Sequence, residues 1–406
     1  MTQLARKTAV RRLTAVAAGL ALTAVSAATA QAAVPAPEGR IVGANAPGSV
    51  ENSYIVVLEN GAVARTDVPG KAKGLVKKFG GTVENTYSDA VKGFETTMSE
   101  SAARRLAADP SVAYVEQNAV VHATGTQSPT PSWGLDRIDQ QSLPLDDSYT
   151  YPNSGTGVTA YIVDTGIRMT HQDFGGRAVS GIDTVDGDND ATDCNGHGTH
   201  VAGTVGGSSY GVAKNVDLVA VRVLDCSGSG TYAGVIDGIN WVASDHAAGD
   251  PAVANMSLGG GLSQAVNDAV AAAVADGVTF AVAAGNERRN ACRTSPASEP
   301  TAITVGATTS SDDRASYSNY GECLDIFAPG SSITSAWSTS DTATNTISGT
   351  SMATPHVTGA AALVLAAHPG YTPAQVDDAL VNGGVAGVVG NARRGSPNVL
   401  LNVSFL

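Results

Sequence analysis

From residue 133 to the C-terminus the chain alternates two patterns. Short, mainly apolar runs, rich in Val, Ile and Ala, occupy 158–163, 218–224, 252–256, 278–283 and 302–305. Between them lie longer stretches with apolar residues at helical spacing, 200–205, 232–243, 263–275 and 351–367. A run without regular polar alternation predicts a strand covered on both faces, and strands separated by helices predict parallel pairing. The expectation is an α/β domain, a mostly parallel twisted sheet with helices on both faces. In such sheets ligands bind at the carboxyl ends of the strands. The segment before it has a different rhythm. Residues 53–58, 82–87, 91–97 and 112–121 read as strands, and 70–79 and 101–108 as helices, the second with Ser99 as its N-cap. The order βαββαβ predicts a small α+β unit of ferredoxin-like type, with no catalytic constellation of its own. Residues 34–48 and 123–132 are rich in small and turn-forming residues and read as linkers, the second an exposed place for proteolysis.

The N-terminus decides the compartment. Arg6, Lys7, Arg11 and Arg12 precede an apolar run from 13 to about 28, and Ala30-Gln31-Ala32 ends it in an A-x-A pattern. This is a cleaved secretory signal rather than a membrane anchor, because the run holds Gly and Thr and stops at a cleavage pattern. The predicted divisions are a signal peptide at 1–32, a linker and small unit at 33–125 (core about 53–122) and the α/β domain at 126–406. A net charge of −13 argues against sequence-independent binding to nucleic acid. An apolar share of 43% with 15% charged residues suits a soluble protein with a sizeable core. After export, Cys194, Cys226, Cys292 and Cys323 favour disulfides over thiolate metal sites, with three pairings open. Asp183, Asp186, Asp188, Asp190 and Asp193 crowd one stretch, which is either a solvated acidic surface or an oxygen-ligand calcium loop.

The stretch Asp193-Cys-Asn-Gly-His-Gly-Thr-His200 holds two histidines and a cysteine at close spacing. It reads as a metal site, a catalytic histidine or a polar piece of core. Asp164 ends the run 158–163 and Asn286 follows 278–283; each alone is an ordinary turn residue. Ser351 opens the long apolar helix, where free N–H groups and the macrodipole favour a developing negative charge, though alone it is an N-cap. Pro355 fits only near a helix start. Together, Asp164, His197, Asn286 and Ser351 all fall at strand-to-loop or loop-to-helix transitions of one α/β unit. Their chain order, Asp then His then Ser, is that of subtilisin-type triads.

Asp164-Thr-Gly166, Asn195-Gly-His-Gly-Thr-His-Val-Ala-Gly203, Ala284-Gly-Asn286 and Gly349-Thr-Ser-Met-Ala-Thr-Pro355 resemble the signature motifs of the subtilisin-like serine proteases (peptidase S8), over 133 to about 403. Ser257-Leu-Gly-Gly260, Ser295-Pro-Ala-Ser-Glu-Pro300 and Ser316-Tyr-Ser-Asn-Tyr-Gly321 are most similar to the proteinase K and aqualysin branch. The βαββαβ unit resembles the family's I9-type inhibitory propeptide.

This resemblance implies a secreted serine endopeptidase made as a pre-pro-protein. Ser351 would be the nucleophile, His197 the general base, Asp164 its orienting partner, and Asn286 with the Ser351 N–H the oxyanion hole. Ser257, Leu258 and Gly259 would pair with the substrate backbone as one wall of the cleft. Gly228, Ser229 and Tyr232 would form the other. Ala283, Ala284 and Gly285 would border an S1 pocket with no evident carboxylate, which implies broad specificity favouring apolar and aromatic P1 residues. The branch also implies disulfides Cys194–Cys226 and Cys292–Cys323, each worth roughly 3–4 kcal/mol. Structural calcium is implied at the Pro300 and Ala302 carbonyls with Asp325; a second position is expected at Asp136, Asp139, Gln140 and Asp146, and the 183–193 loop is a third candidate. His200 and His356 are assigned structural roles. The expected partners are polypeptide substrates and the chain's own propeptide as intramolecular inhibitor, cut near Gly125 or Thr126. Neither nucleic acid nor, once the signal is removed, a membrane is expected, and the enzyme is taken as a monomer. The rival readings are a non-catalytic binding protein on the same fold and a metalloenzyme built on Cys194, His197 and His200.

Overall fold

A computed structural model describes residues 38–44, 49–59, 61–119 and 125–406. The expected signal at 1–32 and residues 120–124 lie outside this set. The chain divides into two compact units, centred on residues 56–115 and 116–406. In the first, strands Ser49–Leu58, Thr82–Tyr87, Gly93–Thr97 and Val112–Ala119 alternate with helices Val68–Phe79 and Glu100–Ala107 in the order βαββαβ. The five-stranded sheet runs Ile41–Val42, Val112–Ala119, Ser49–Leu58, Gly93–Thr97, Thr82–Tyr87. Strand Ile41–Val42 extends it from within the segment expected to be linker. Val56, Leu58, Leu75, Phe94, Leu106 and Val115 form its core. Ser99 caps the second helix, accepting the Ala102 N–H.

The larger unit is built on β1 (Thr159–Asp164), β2 (Ala178–Asp183), α1 (His197–Gly206), β3 (Asp217–Arg222), α2 (Tyr232–Asp245), β4 (Ala252–Met256), α3 (Gln264–Asp276), β5 (Thr279–Ala283), β6 (Ile303–Thr308), β7 (Ile326–Pro329), α4 (Thr350–Ala367), α5 (Pro373–Gly383), β8 (Val385–Ala386) and β9 (Val399–Leu400). The sheet order is β8-β9-β7-β6-β5-β4-β1-β3-β2. Pairing is parallel from β2 through β7 to β9, and only the β8–β9 edge is antiparallel. Residues of β1 alternate between two cores, as a two-faced strand must. Ala160 and Ile162 pack with Val201 and Val205 of α1 and Val357 of α4. Tyr161 and Val163 pack with Ile239 of α2 and Val270 of α3. Strand order reverses at β1: the chain steps from it to β3 and β2 on one side and to β4 through β7 on the other. The crevice at such a reversal is where an open α/β sheet binds ligands.

The buried strands are where the apolar runs predict them, within two or three residues. The short and edge elements are not. The sequence reading has no counterpart for β2, β7 or α5. In β2 four of the six residues reach solvent, and Ser180 and Gly181 interrupt its apolar pattern. β7 is only four residues long and ends in Pro329. α5 carries a full capping box, Thr372 with Gln375, which is a readable signal in hindsight. Residues 125–127, expected within an exposed linker, form a strand paired with Tyr149–Tyr151. There the Gln127 side chain donates to the Ser209 carbonyl and accepts from Lys214.

Candidate active site

Asp164 ends β1 and is fully buried. Its Oδ1 accepts the Thr165 N–H at 2.8 Å and faces His197 Nδ1 at 2.7 Å. His197 is the first residue of α1, three residues earlier than the apolar spacing places the helix start. Two glycines make that start possible. Gly196 takes φ +114°, a backbone state that side-chain-bearing residues rarely adopt, and hands the chain into the helix. A Cβ on Gly198 would collide with the Gly166 carbonyl, so the backbone of α1 can come this close to the turn after β1 only at a glycine. Burial pushes the His197 imidazole down, but Asp164, with Asp193 adding to it, raises it on balance above the ordinary range.

Ser351 lies in the first turn of α4, whose leading N–H groups have no intrahelical acceptors. Four residues on, Pro355 has no N–H to give the Ser351 carbonyl. Ser257 fills that gap: its Oγ donates to the Ser351 carbonyl at 2.8 Å, and its own carbonyl accepts the Ser351 hydroxyl at 3.0 Å. The helix proline thus ties the loop after β4 to the serine. The Asn286 amide oxygen accepts both the N–H (2.8 Å) and the hydroxyl (3.1 Å) of Thr350. That fixes the amide orientation and leaves its NH2 group toward Gly349 and Ser351.

A cavity of about 580 Å³ joins these groups. His197, Asn286 and Ser351 line it, as do Gly228, Ser229, Tyr232, Ser257, Leu258, Gly259, Ala283 and Gly285. Asp164 sits behind His197, out of the cavity. Ala284 also stays out: it is fully buried, and its carbonyl accepts from Asn319 Nδ2 at 2.8 Å. Glu287 and Arg289 line the same cavity. The Glu287 carboxylate accepts from Asn319 and lies 3.7 Å from Arg289, so its charge is partly met.

The family comparison decides what this constellation belongs to. The subtilase family model (peptidase S8) matches residues 155–396, more than half of the chain. The chain belongs to the subtilase family. Residues 53–124 match the peptidase inhibitor I9 family. An extracellular serine proteinase from Thermus sp. (strain Rt41A) is 52% identical over 385 residues, 91% of this chain and 93% of that protein. Alkaline serine exoprotease A of Vibrio alginolyticus is 54% identical over 325 residues, covering 79% of this chain and 60% of that one. The crystal structure of a cold adapted subtilisin-like serine proteinase matches with a TM-score of 0.66 at 57% identity, covering 68% of this chain and 99% of its own. The chain is an extracellular serine proteinase with an I9-type propeptide. No helix among the described residues is long and apolar enough to cross a membrane.

In this subtilase Cys194 is bonded to Cys226 and Cys292 to Cys323. The first bond ties the loop before His197 to the cleft wall at 227–232. With Cys194 so engaged and His200 Nε2 on the Ile333 carbonyl, Cys194, His197 and His200 do not make a metal site. In the 183–193 loop two of the five aspartates are already committed to a cation of the chain itself. Asp183 and Asp186 both engage the Arg222 guanidinium. Asp193, taken from the sequence as a surface or calcium-loop carboxylate, is buried and accepts five hydrogen bonds.

Among the described residues no three carboxylate, histidine or cysteine side chains gather as a metal cluster. Two of the places expected to hold calcium present unmet oxygen. Asp139 Oδ1 and Gln140 Oε1 are buried without partners, and burial, with Asp146 and Asp136 adding, pushes Asp139 up to about 6. The two oxygens of Asp136 each accept one backbone N–H, from Asp146 and Asp147. Asp146 Oδ1 is held by Ser148. Asp325 beyond β6 is pushed up to about 7 by burial and by Asp377. Asp377 has a buried oxygen without a partner, and it lines a cavity of about 550 Å³ with Pro300. Hard, unneutralised oxygens at both places fit a hard divalent cation.

Proposed function

We propose that this subtilase is a broad-specificity endopeptidase using Asp164, His197 and Ser351 as its triad. The observation that carries this reading is the 2.7 Å contact of Asp164 with His197 behind a cavity that His197 and Ser351 share. In the first step the Ser351 hydroxyl swings from the Ser257 carbonyl to His197 and attacks the scissile carbon. His197 takes the proton and Asp164 stabilises the imidazolium. The oxyanion is met by the Asn286 NH2 and the Ser351 N–H at the positive end of α4. The tetrahedral intermediate collapses as His197 gives its proton to the leaving amine, and water then attacks the acyl-enzyme by the same route. The small walls at Ser257–Gly259, Ala283 and Gly285 suit apolar and aromatic P1 side chains.

Self-processing near Gly125 or Thr126 would release the catalytic domain from the inhibitory segment at 53–122, and the mature enzyme would be a monomer. Ser351→Ala should accumulate as the unprocessed precursor, read as one higher-mass band in the medium; a normally trimmed product would refute both the nucleophile and the self-cleavage. Calcium would be held by Asp139 and Gln140 in one place, and by Asp325 with the Pro300 and Ala302 carbonyls in another. There it would neutralise carboxylates that burial leaves exposed to one another. Chelation of the mature enzyme should lower its thermal midpoint by several degrees and restore with added calcium. An unchanged midpoint would remove calcium from the account.

A further inference from the structure

His197 carries an electrostatic handicap that the triad alone does not explain. As the first residue of α1 it sits at the positive end of that helix dipole, which disfavours the imidazolium that catalysis must form. We infer that Asp193 is a positioning residue of the catalytic site, a second buried carboxylate that locks the His197 loop to the end of β1 and offsets the helix terminus beneath the imidazole. This inference rests on the triad reading above.

The geometry is specific. Asp193 Oδ1 accepts from the Thr165 hydroxyl (3.0 Å) and from the N–H groups of Asn195 (2.8 Å) and Gly196 (2.9 Å). Its Oδ2 accepts the Thr199 N–H (3.0 Å) and hydroxyl (2.5 Å). Thr165 Oγ1 in turn accepts the Gly198 N–H at 2.9 Å, while the Thr165 N–H donates to Asp164 Oδ1. The His197 N–H is taken by the Asn195 side chain at 3.1 Å. Every N–H from residue 195 to 199 thus ends on Asp193, on Thr165 or on a side chain of that same loop. Thr165 is the hinge pin: one residue touches both carboxylates. A surface aspartate would serve solubility; one that is 6% exposed with five donors is held for its charge and its shape.

The field at His197 supports this assignment. Asp193 adds to the Asp164 effect that holds the imidazole above its ordinary range. Other titratable groups on elements packed against α1 do not take that role. His200 on the helix and His356 on α4 are held down to about 4 by burial and stay neutral. Arg222 at the end of β3 is paired with Asp183 and Asp186. His171 and Asp173, in the short turn before β2, bond to the Ala343 carbonyl and the Ser209 N–H. Across the cavity Glu287 and Arg289 face each other.

The test is kinetic and uses the full pre-pro chain, with the mature enzyme first titrated by a serine-directed phosphonate. Asp193→Asn keeps the size, removes the charge and replaces one acceptor oxygen by an NH2 donor. It should lower kcat roughly tenfold or more with KM within about twofold, and move the acid limb of the kcat/KM profile down by about half to one pH unit. Thr165→Val keeps every charge and removes the pin. It should lower kcat a fewfold and leave the acid limb in place. An unmoved acid limb in Asp193→Asn overturns the electrostatic role, and so does an equal shift in Thr165→Val. Wild-type kcat in Thr165→Val overturns the locking role, and that variant decides it even if Asp193→Asn fails to fold. A wild-type enzyme with no phosphonate adduct on Ser351 would sink the triad reading instead, so the two failures are distinguishable.

Discussion

Asn286 illustrates how little freedom the site leaves its groups. Both lone-pair directions of its amide oxygen are occupied by Thr350, at 2.8 and 3.1 Å, so the NH2 end has one place to point. A donor held this way needs no reorganisation when charge develops on the substrate oxygen, which is the condition under which such donors are strongest. Asn286→Ala should therefore cut kcat by about 10²–10³ while KM changes little, measured on a peptide amide substrate. A loss below tenfold, or one carried mainly by KM, would remove Asn286 from the oxyanion role. At this scale the sequence was readable where a residue sits in a glycine-framed turn: Asp164, His197, Asn286 and Ser351 stand out together for that reason. Asp193 stands in the same motif and was misread. Its role depends on a donor from residue 165, across the gap between two elements, and no local pattern records that.

Among elements, legibility followed burial. β1, β4, β5 and β6 are mainly apolar because α1 and α4 cover one face of the sheet and α2 and α3 the other, and such runs are hard to mistake for loops. α4 is more telling. Fifteen of its eighteen residues are buried, so it has almost no polar face to give a helical period, yet the length of its apolar run still marks it. What the sequence did not reveal is why Pro355 is tolerated inside it. Once Ser257 is seen donating to the orphaned Ser351 carbonyl, the proline reads as the cause of a contact between the loop after β4 and the helix. β2 and β7 were missed for the opposite reason. A strand at the sheet edge or only four residues long carries too few buried positions to show a pattern. The family resemblance places Ala284 beside the S1 pocket with Ala283 and Gly285, but in an extended segment successive side chains face opposite ways, and Ala284 faces inward.

For the molecule as a whole, buried titratable groups pull stability in opposite directions with pH. Burial holds His200 and His356 down to about 4, against about 6.5 in the unfolded chain. As pH falls below 6.5 the unfolded chain binds protons that these residues refuse until about 4. Their contribution is therefore complete above 6.5 and is lost progressively toward 4. Without calcium, Asp139 and Asp377, raised to about 6, and Asp325, raised to about 7, act with the reverse sign: the folded chain keeps protons that the unfolded chain has released, and their contribution is lost as pH rises through 6 to 7. The two sets overlap, so a wild-type acid titration alone would mix them. A difference measurement separates them. His356 is almost fully buried, with Nδ1 donating to the Met352 carbonyl and Nε2 unpartnered, so the fold strongly resists its charging. In a Ser351→Ala background, which cannot digest itself, His356→Gln should flatten the fall in unfolding free energy between pH 7 and pH 4.5. The expected difference is up to roughly 3 kcal/mol for one histidine moved from 6.5 to about 4. The carboxylates are common to both proteins and cancel. Denaturant midpoints at the two pH values give the readout, and parallel losses in the two proteins would show that His356 takes up its proton without unfolding.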